Sequence, residues 1–356
     1  MNRMGWLAWL VLGAPWSASP RTQAAPSRDP TRWIALYAGG PSDYTPTYPA
    51  YTIEDLFACI AVMDSTGKPV SWLTSGSLFL EIYTSSKHLF ATWSTEKSPP
   101  ANGDDWAAYG DSLTAPGGLL ARLDSAVGLV SAALGPLTRP YRVAVMIPYP
   151  TAGLDSLSYR GQQYFMGDTP GRAALVAAYV EFITHQLRKH PFPHLAFDGF
   201  EWLREDVPAG DSLIVQQVSA TVHRAGVRFL WVPYYHPGAR LWRNWGFDEA
   251  WLQPNYFFHP ELPVTHLDSA VAKARAWDMG WEIEFNKNLF SSPVFAARLM
   301  PYLNHLAMAP DLRARALVIY DGAGALLMLS RSRDPVLEAE YARLADILRP
   351  VAESAQ

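Results

Sequence analysis

A chain of 356 residues, 49% hydrophobic and 17% charged, has enough apolar surface for one large core rather than two small ones. Its formal net charge is −4 and no stripe of Lys and Arg appears, which excludes a nucleic-acid surface. Aromatic residues reach 13%, with 14 Trp and 17 Tyr, more than a core usually needs and suited to stacking on the apolar faces of sugars.

The first 25 residues read as a secretory signal peptide. Arg3 supplies the positive start, residues 5–13 the apolar stretch, and Thr22-Gln23-Ala24 a cleavage site among small residues. The apolar stretch is too short to anchor stably in a bilayer, and no Cys stands behind it to carry a lipid. The mature protein is therefore expected to be secreted or periplasmic, with no stable membrane anchor. An inefficiently cleaved tether is the alternative. A Pro- and Ser-containing linker at 25–30 then leads into a single expected domain, 31–350. The only cysteine, Cys59, lies in the apolar run 56–62, so no internal disulfide forms and the core must carry the stability.

From there strand and helix signals alternate. Short apolar runs bounded by turn residues predict eight strands: 33–38, 77–83, 142–147, 194–201, 227–234, 250–256, 280–285 and 316–320. A ninth run, 56–63, reads as part of an early hairpin with Ser65-Thr66-Gly67-Lys68 as its turn. Amphipathic stretches at 118–134, 172–190, 211–225, 265–277, 294–308 and 334–348 predict helices. Pro170-Gly171 and Pro335 suit helix starts, and Gly226 suits a stop. The Ser-, Pro-, Gly- and Asn-rich segment 85–117 reads as a long loop over one face. Alternation of this kind predicts an α/β fold, a (β/α)8 barrel of the TIM type with long loops and an extra N-terminal hairpin. A doubly wound open sheet is the main alternative, but Gly322-Ala323-Gly324 lacks the third glycine of a dinucleotide-binding loop, and no cofactor is expected.

In such a barrel, active sites form at the C-terminal ends of the strands. Two acidic runs among apolar residues end the fourth and seventh strands: Phe197-Asp198-Gly199-Phe200-Glu201-Trp202 and Trp281-Glu282-Ile283-Glu284-Phe285. Buried charge is costly unless it is paired or used, and a pair of carboxylates across a barrel mouth is the equipment of glycoside hydrolysis. Glu282 and Glu284, two apart, share a face, with Glu284 nearer the mouth as nucleophile or base and Glu282 as a supporting group. Glu201, flanked by Phe200 and Trp202, is the expected general acid, because an apolar setting raises its pKa. Asp198 is a second supporting candidate, since Gly199 permits a bulge that would turn both acids to the mouth. The competing reading pairs Asp198 and Glu201 with Arg204 or has them cap the next helix. A separation near 5 Å between the two carboxylates implies a retaining mechanism, a clearly longer one an inverting mechanism.

Polar and aromatic residues at other strand ends are the expected sugar contacts: Tyr37, Tyr149 and Trp202, then Tyr234, Tyr235 and His236, then Gln253, Asn255 and Tyr256, and finally Asp321. The histidines lack the i, i+4 pairing of a zinc protease and no metal is expected; no Gly-x-Ser-x-Gly elbow occurs.

Trp231-Val232-Pro233-Tyr234-Tyr235, Gly246-Phe247-Asp248, Gln253-Pro254-Asn255-Tyr256-Phe257 and Gly280-Trp281-Glu282-Ile283-Glu284-Phe285 together resemble a secreted bacterial family, domain of unknown function 4855. The resemblance covers most of the mature chain, is strongest from Asp198 to Asn286, and implies a glycosidase-type barrel without assigning a reaction. Asp198-Gly199-Phe200 is also similar to the Asp-Gly-hydrophobic strand of chitinase-like barrels. Trp202-Leu203-Arg204 follows where that motif has Asp-x-Glu, so substrate-assisted chitinase chemistry is not expected. The leading expectation is thus a secreted, monomeric glycoside hydrolase with a carbohydrate partner. The alternatives are a non-catalytic carbohydrate-binding surface barrel, and a metal-assisted hydrolase working through His236 or His259 with Asp198.

Overall fold

A computed structural model describes residues 31–39, 51–91, 99–322 and 324–349. The expected signal peptide and linker lie outside the described residues. Eight parallel strands close into a barrel: β1 (Arg32–Tyr37), β2 (Gly76–Leu80), β3 (Tyr141–Ile147), β4 (Leu195–Trp202), β5 (Arg228–Trp231), β6 (Glu249–Leu252), β7 (Gly280–Glu284) and β8 (Leu317–Tyr320). Each pairs with the next in sequence, and β1 closes the ring against β8 in the register Arg32 to Leu317 through Ala35 to Tyr320. These are the eight strands that the apolar runs predict. Parallel neighbours require a crossover, and helices such as Thr169–Lys189 and Ser212–Arg224 supply it between strands.

The early hairpin exists but is shorter than its apolar run. Ala61–Met63 pairs antiparallel with Pro69–Trp72 outside the barrel, while residues 53–60 form a helix. Thr52 starts that helix through a capping box with Asp55, and its apolar residues Leu56, Cys59 and Ile60 fall on one buried face. Since the hairpin stands outside the ring, the carboxylate runs keep their places on β4 and β7.

Two further expectations need correction. Segment 85–117 contains a helix, Gly103–Thr114, rather than loop throughout. Asn102 accepts from the Asp104 and Asp105 amides while Asp105 reciprocates, and Trp106, Tyr109 and Leu113 bury one face. The polar composition masks this helix because its polar residues are its cap. The expected single helix at 294–308 is two, Pro293–Ala296 and Leu299–Ala307. Between them the buried Arg298 donates to the carbonyls of Tyr256, His259, Pro260 and Leu262, so its side chain serves another loop. Gly103–Leu134 is the one described stretch long and apolar enough by composition to cross a membrane, where none was expected; it is divided into helices Gly103–Thr114 and Leu119–Leu134.

Two indoles fill the barrel interior. Trp33 on β1 and Trp251 on β6 point inward and meet edge to face, their ring centroids 5.9 Å apart. Their strand partners across the ladder are glycines, Gly76 and Gly280. A Cβ at Gly76 would fall 2.7 Å from Trp33 Cε3, and one at Gly280 2.4 Å from Trp251 Cδ1. The glycines therefore make room for the rings that plug the barrel. Nearer the N-terminal ends of the strands, Arg228 donates to Asp198 Oδ2 at 2.9 Å and to Glu249 Oε2 at 2.9 Å, and Arg142 lies 3.4 Å from Asp198 Oδ1. Those layers leave the C-terminal end for the site.

Gly280→Ala should destabilise the fold by about 1–3 kcal/mol, because neither the indole nor the facing Ala316 carbonyl can retreat cheaply. Urea unfolding reads this directly, and an unchanged midpoint would show that the glycine is not needed for the plug.

Candidate active site

Strand alternation decides which side chains reach the mouth. On β4 the register slips opposite Val143 and Ala144, so Asp198 is the extra residue of a bulge. A Cβ on Gly199 would fall 2.0 Å from the Arg228 carbonyl oxygen, so the strand comes too close there for any other residue. The bulge that Gly199 was expected to allow does form, but Asp198 stays with Arg142 and Arg228, away from the mouth. Beyond it Glu201, Leu203 and Glu205 alternate inward, while Phe200 and Trp202 turn outward into the layer beneath the helices. On β7 the same alternation sends Glu282 and Glu284 inward together.

These residues line a cavity of about 480 Å³ at the C-terminal end of the barrel. Its walls include four carboxyl groups: Glu201, Glu205, Glu282 and Glu284. Leu78, Leu80, Val232 and Val318 supply apolar wall, and Tyr83, Tyr234, Phe258 and Tyr320 aromatic wall.

The four acids sit in unlike surroundings. Glu284, 2% exposed, accepts from the Asn255 amide at 2.7 Å and from the Tyr302 hydroxyl through the same oxygen. Burial pushes its pKa up to about 8 against the pull of those two donors. Glu201 is 4% exposed, and its Oε2 is buried without a hydrogen-bond partner. Burial, then the neighbouring Glu205 charge, hold its carboxyl well above the usual range. Glu282 is raised by burial and by repulsion from Glu284, Glu205 and Glu201. Glu205 is raised by burial, with the Gln253 amide donating to it and pulling the other way.

Asn255 ties this network together. Its backbone is left-handed, with φ 53°, a conformation that Asn tolerates better than most residues. That turn aims its amide at Glu284 while its side-chain oxygen accepts from the Tyr235 amide at 3.0 Å. Its side-chain nitrogen donates to Gln253 Oε1 at 3.3 Å, and Gln253 in turn reaches the Val232 carbonyl.

The expected sugar contacts divide. Tyr234, Gln253 and Asn255 line the cavity. Tyr37 stands behind it and accepts from the backbone amide of Tyr83, which does line it. Tyr149 donates to Asp211 at 2.6 Å within a buried group that includes Arg172, and Trp202 packs on Tyr149. Trp202 faces away because it follows the inward Glu201. Tyr235 packs against His266 and Lys273, and His236 caps the turn at Pro237–Trp245 by accepting from the Gly238 amide. Tyr256 lies under Arg298, and Asp321 accepts from the Gly324 and Leu326 amides, capping the helix after β8. His259 pairs with Glu261. Neither it nor His236 meets Asp198, so the metal-assisted constellation does not assemble.

Two site residues escape the sequence reading. Glu205 continues the inward alternation of Glu201 and Leu203 beyond the strand end, a signal that parity carries. Tyr302 comes from a helix 18 residues after Glu284, and nothing near it in sequence marks it.

The model of the family described as domain of unknown function (DUF4855) matches residues 34–346. No curated protein matches the chain. Among solved structures, an endoglucanase of broad specificity (GH5-4) from an uncultured bacterium is similar at TM-score 0.41 and 11% identity, over 90% of this chain and 94% of that one. An alpha-amylase from Malbranchea cinnamomea is similar at TM-score 0.45 and 12% identity, over 92% and 78%. A tryptophan synthase complex from Pyrococcus furiosus is similar at TM-score 0.38 and 10% identity, over 90% and 98%.

The raised acids set a direction for stability. Glu284 binds its proton more tightly folded, at about 8, than at its ordinary 4.5. Its favourable contribution is complete below the unfolded value and is lost as pH rises toward about 8. Glu282→Gln removes one of the mutually repelling charges. It should raise the thermal midpoint by about 2–4 °C in mild alkali and by less in acid. Scanning calorimetry across pH tests this, and a drop in the midpoint in alkali would contradict the repulsion.

Proposed function

The chain belongs to the DUF4855 family, and we propose that this member is a glycoside hydrolase in which Glu201 is the general acid and Glu284 the nucleophile or base. One observation carries the proposal: carboxyls from β4 and β7 line one cavity, and two hydrogen-bond donors reach Glu284 while the buried Oε2 of Glu201 has none. Glu201 receives no donor at its buried Oε2 and stands next to Glu205, so it keeps its proton. Glu284 receives two donors, from Tyr302 and Asn255, that favour its charged form. The acid can then protonate the departing glycosidic oxygen while the carboxylate acts on the sugar directly or through water. Tyr234 and the aromatic wall give a sugar ring faces to stack on, and Gln253 and Asn255 supply amides for hydroxyls.

Export is part of the same proposal. It rests on Arg3, the apolar run 5–13 and the site at Thr22-Gln23-Ala24, which would deliver a monomeric enzyme to the periplasm or the medium, where polysaccharides are met.

Residues 26–356, assayed on a polysaccharide panel with product sizing, should cleave at least one glycan. Glu201→Gln and Glu284→Gln should each lower that rate by about 10²–10⁴-fold. Full activity in both variants would sink the assignment, and binding without turnover by the parent protein would favour a non-catalytic carbohydrate-binding barrel.

The rate should follow a bell in pH, its acid side set by deprotonation of Glu284 and its alkaline side by loss of the Glu201 proton. Tyr302→Phe deletes a donor to Glu284 and should move the acid side to higher pH, whereas a purely structural Tyr302 would change the rate without moving the profile.

A further inference from the structure

The proposed hydrolysis employs two of the four carboxyls. Glu205 and Glu282 remain, and their presence makes the cavity costlier to build. Each raises the burden on its neighbours: Glu205 repels Glu201, Glu282 and Glu284, and Glu282 is repelled by all three. Among the described residues that line the cavity there is no Lys, Arg or His to offset them. Arg204, the nearest cation in sequence, turns away to Asp206 and Asp211. A second observation points to a ligand rather than to a merely strained core: Glu201 Oε2, in the cavity wall, is buried and has no partner within the protein.

A neutral sugar offers such a cluster only hydroxyls, which leave unrelieved the repulsion the acids meet when they ionise. A divalent cation would need carboxylates converged at ligand distance. No group of three or more His, Cys, Asp or Glu among the described residues meets that requirement. An ammonium group asks for less convergence: it has three N–H donors and a full positive charge, and it also binds well over aromatic faces. Tyr234, 40% exposed, and the edge-to-face pair Phe258 and Tyr320, 6.0 Å between centroids, provide such faces in the same wall.

We propose that the glycan taken by this site carries unsubstituted amines, and that an amino-sugar ammonium binds among Glu205, Glu282 and the free edge of Glu201. This rests on the reading of the cavity as a glycosidase site. An N-acetyl group would replace the charge with a neutral amide and add bulk where the acids need a cation. Discrimination should therefore be between free and acylated amines on the same sugar backbone, and it should weaken with salt, because charge carries it.

Glu284→Gln protein, in which turnover is suppressed, can be titrated calorimetrically with glucosamine and galactosamine oligosaccharides and with their N-acetylated counterparts at neutral pH. At least one free-amine series should bind about tenfold or more tightly than its acetylated form. The preference should shrink with added salt and fall toward unity when Glu205→Gln is introduced. Glu282→Gln serves as the second variant should Glu205→Gln fold poorly, a point circular dichroism checks. Equal or tighter binding of the acetylated series, or no binding of either free-amine series, overturns the proposal. Cleavage of a neutral polysaccharide that is lost in Glu201→Gln would leave the hydrolase reading standing while this one fails.

Discussion

Four carboxyl groups share one cavity that has no cationic side chain among its described lining residues, and the surrounding structure can be understood as what makes that tolerable. An ionised carboxylate removed from water is costly, and a second beside it adds repulsion. The barrel cannot dilute that cost with solvent from below, because Trp33 and Trp251 fill the interior beneath the site. It meets the cost in two ways. Glu201 and Glu282 are held toward their protonated forms, and Glu284 is given two hydrogen-bond donors. Identical side chains thus meet unlike surroundings, the condition under which the proposed acid and base can differ.

The same barrel places a second acidic residue under opposite rules. Asp198 lies three residues before Glu201, yet it meets Arg142 and Arg228. Charge at the N-terminal end of the barrel is neutralised by neighbours and reads as structure. The acids at the C-terminal end have no cation among the described lining residues and are held toward their protonated forms or given hydrogen-bond donors instead. A single bulge at Asp198 and Gly199 separates the two regimes on one strand.

Much of this was legible from the chain itself. The eight strands follow from short apolar runs, and the shared face of Glu282 and Glu284 follows from a period of two. The same period, carried past the strand end, reaches Glu205. It also places Trp202 outside, because neighbours on a strand face opposite ways. Illegible were the features set by contacts between distant segments. The helix 103–114 hides in a polar stretch because Asn102, Asp104 and Asp105 are its cap. Tyr149, Asp321 and His236 look like site residues at strand ends, but a buried arginine pair or a helix start claims each of their polar groups. Strand-end position offers a residue to the mouth; partners elsewhere decide whether it stays there.

The most consequential of those distant contacts run through the helix Leu299–Ala307. Arg298 at its start and Tyr302 within it are four residues apart, so they lie on one face, one turn from each other. Arg298 holds the carbonyls of Tyr256, His259, Pro260 and Leu262, the loop that leaves β6. Tyr302 accepts from the Tyr256 amide at 3.1 Å and donates to Glu284. One helical turn therefore fixes both the loop that aims the Asn255 amide and the carboxylate that receives it. Glu284 is thus held by a backbone amide from the loop after β6 and by a hydroxyl from a separate helix. The break in the helix at Arg298, which the apolar period does not foretell, is the local cost of that arrangement.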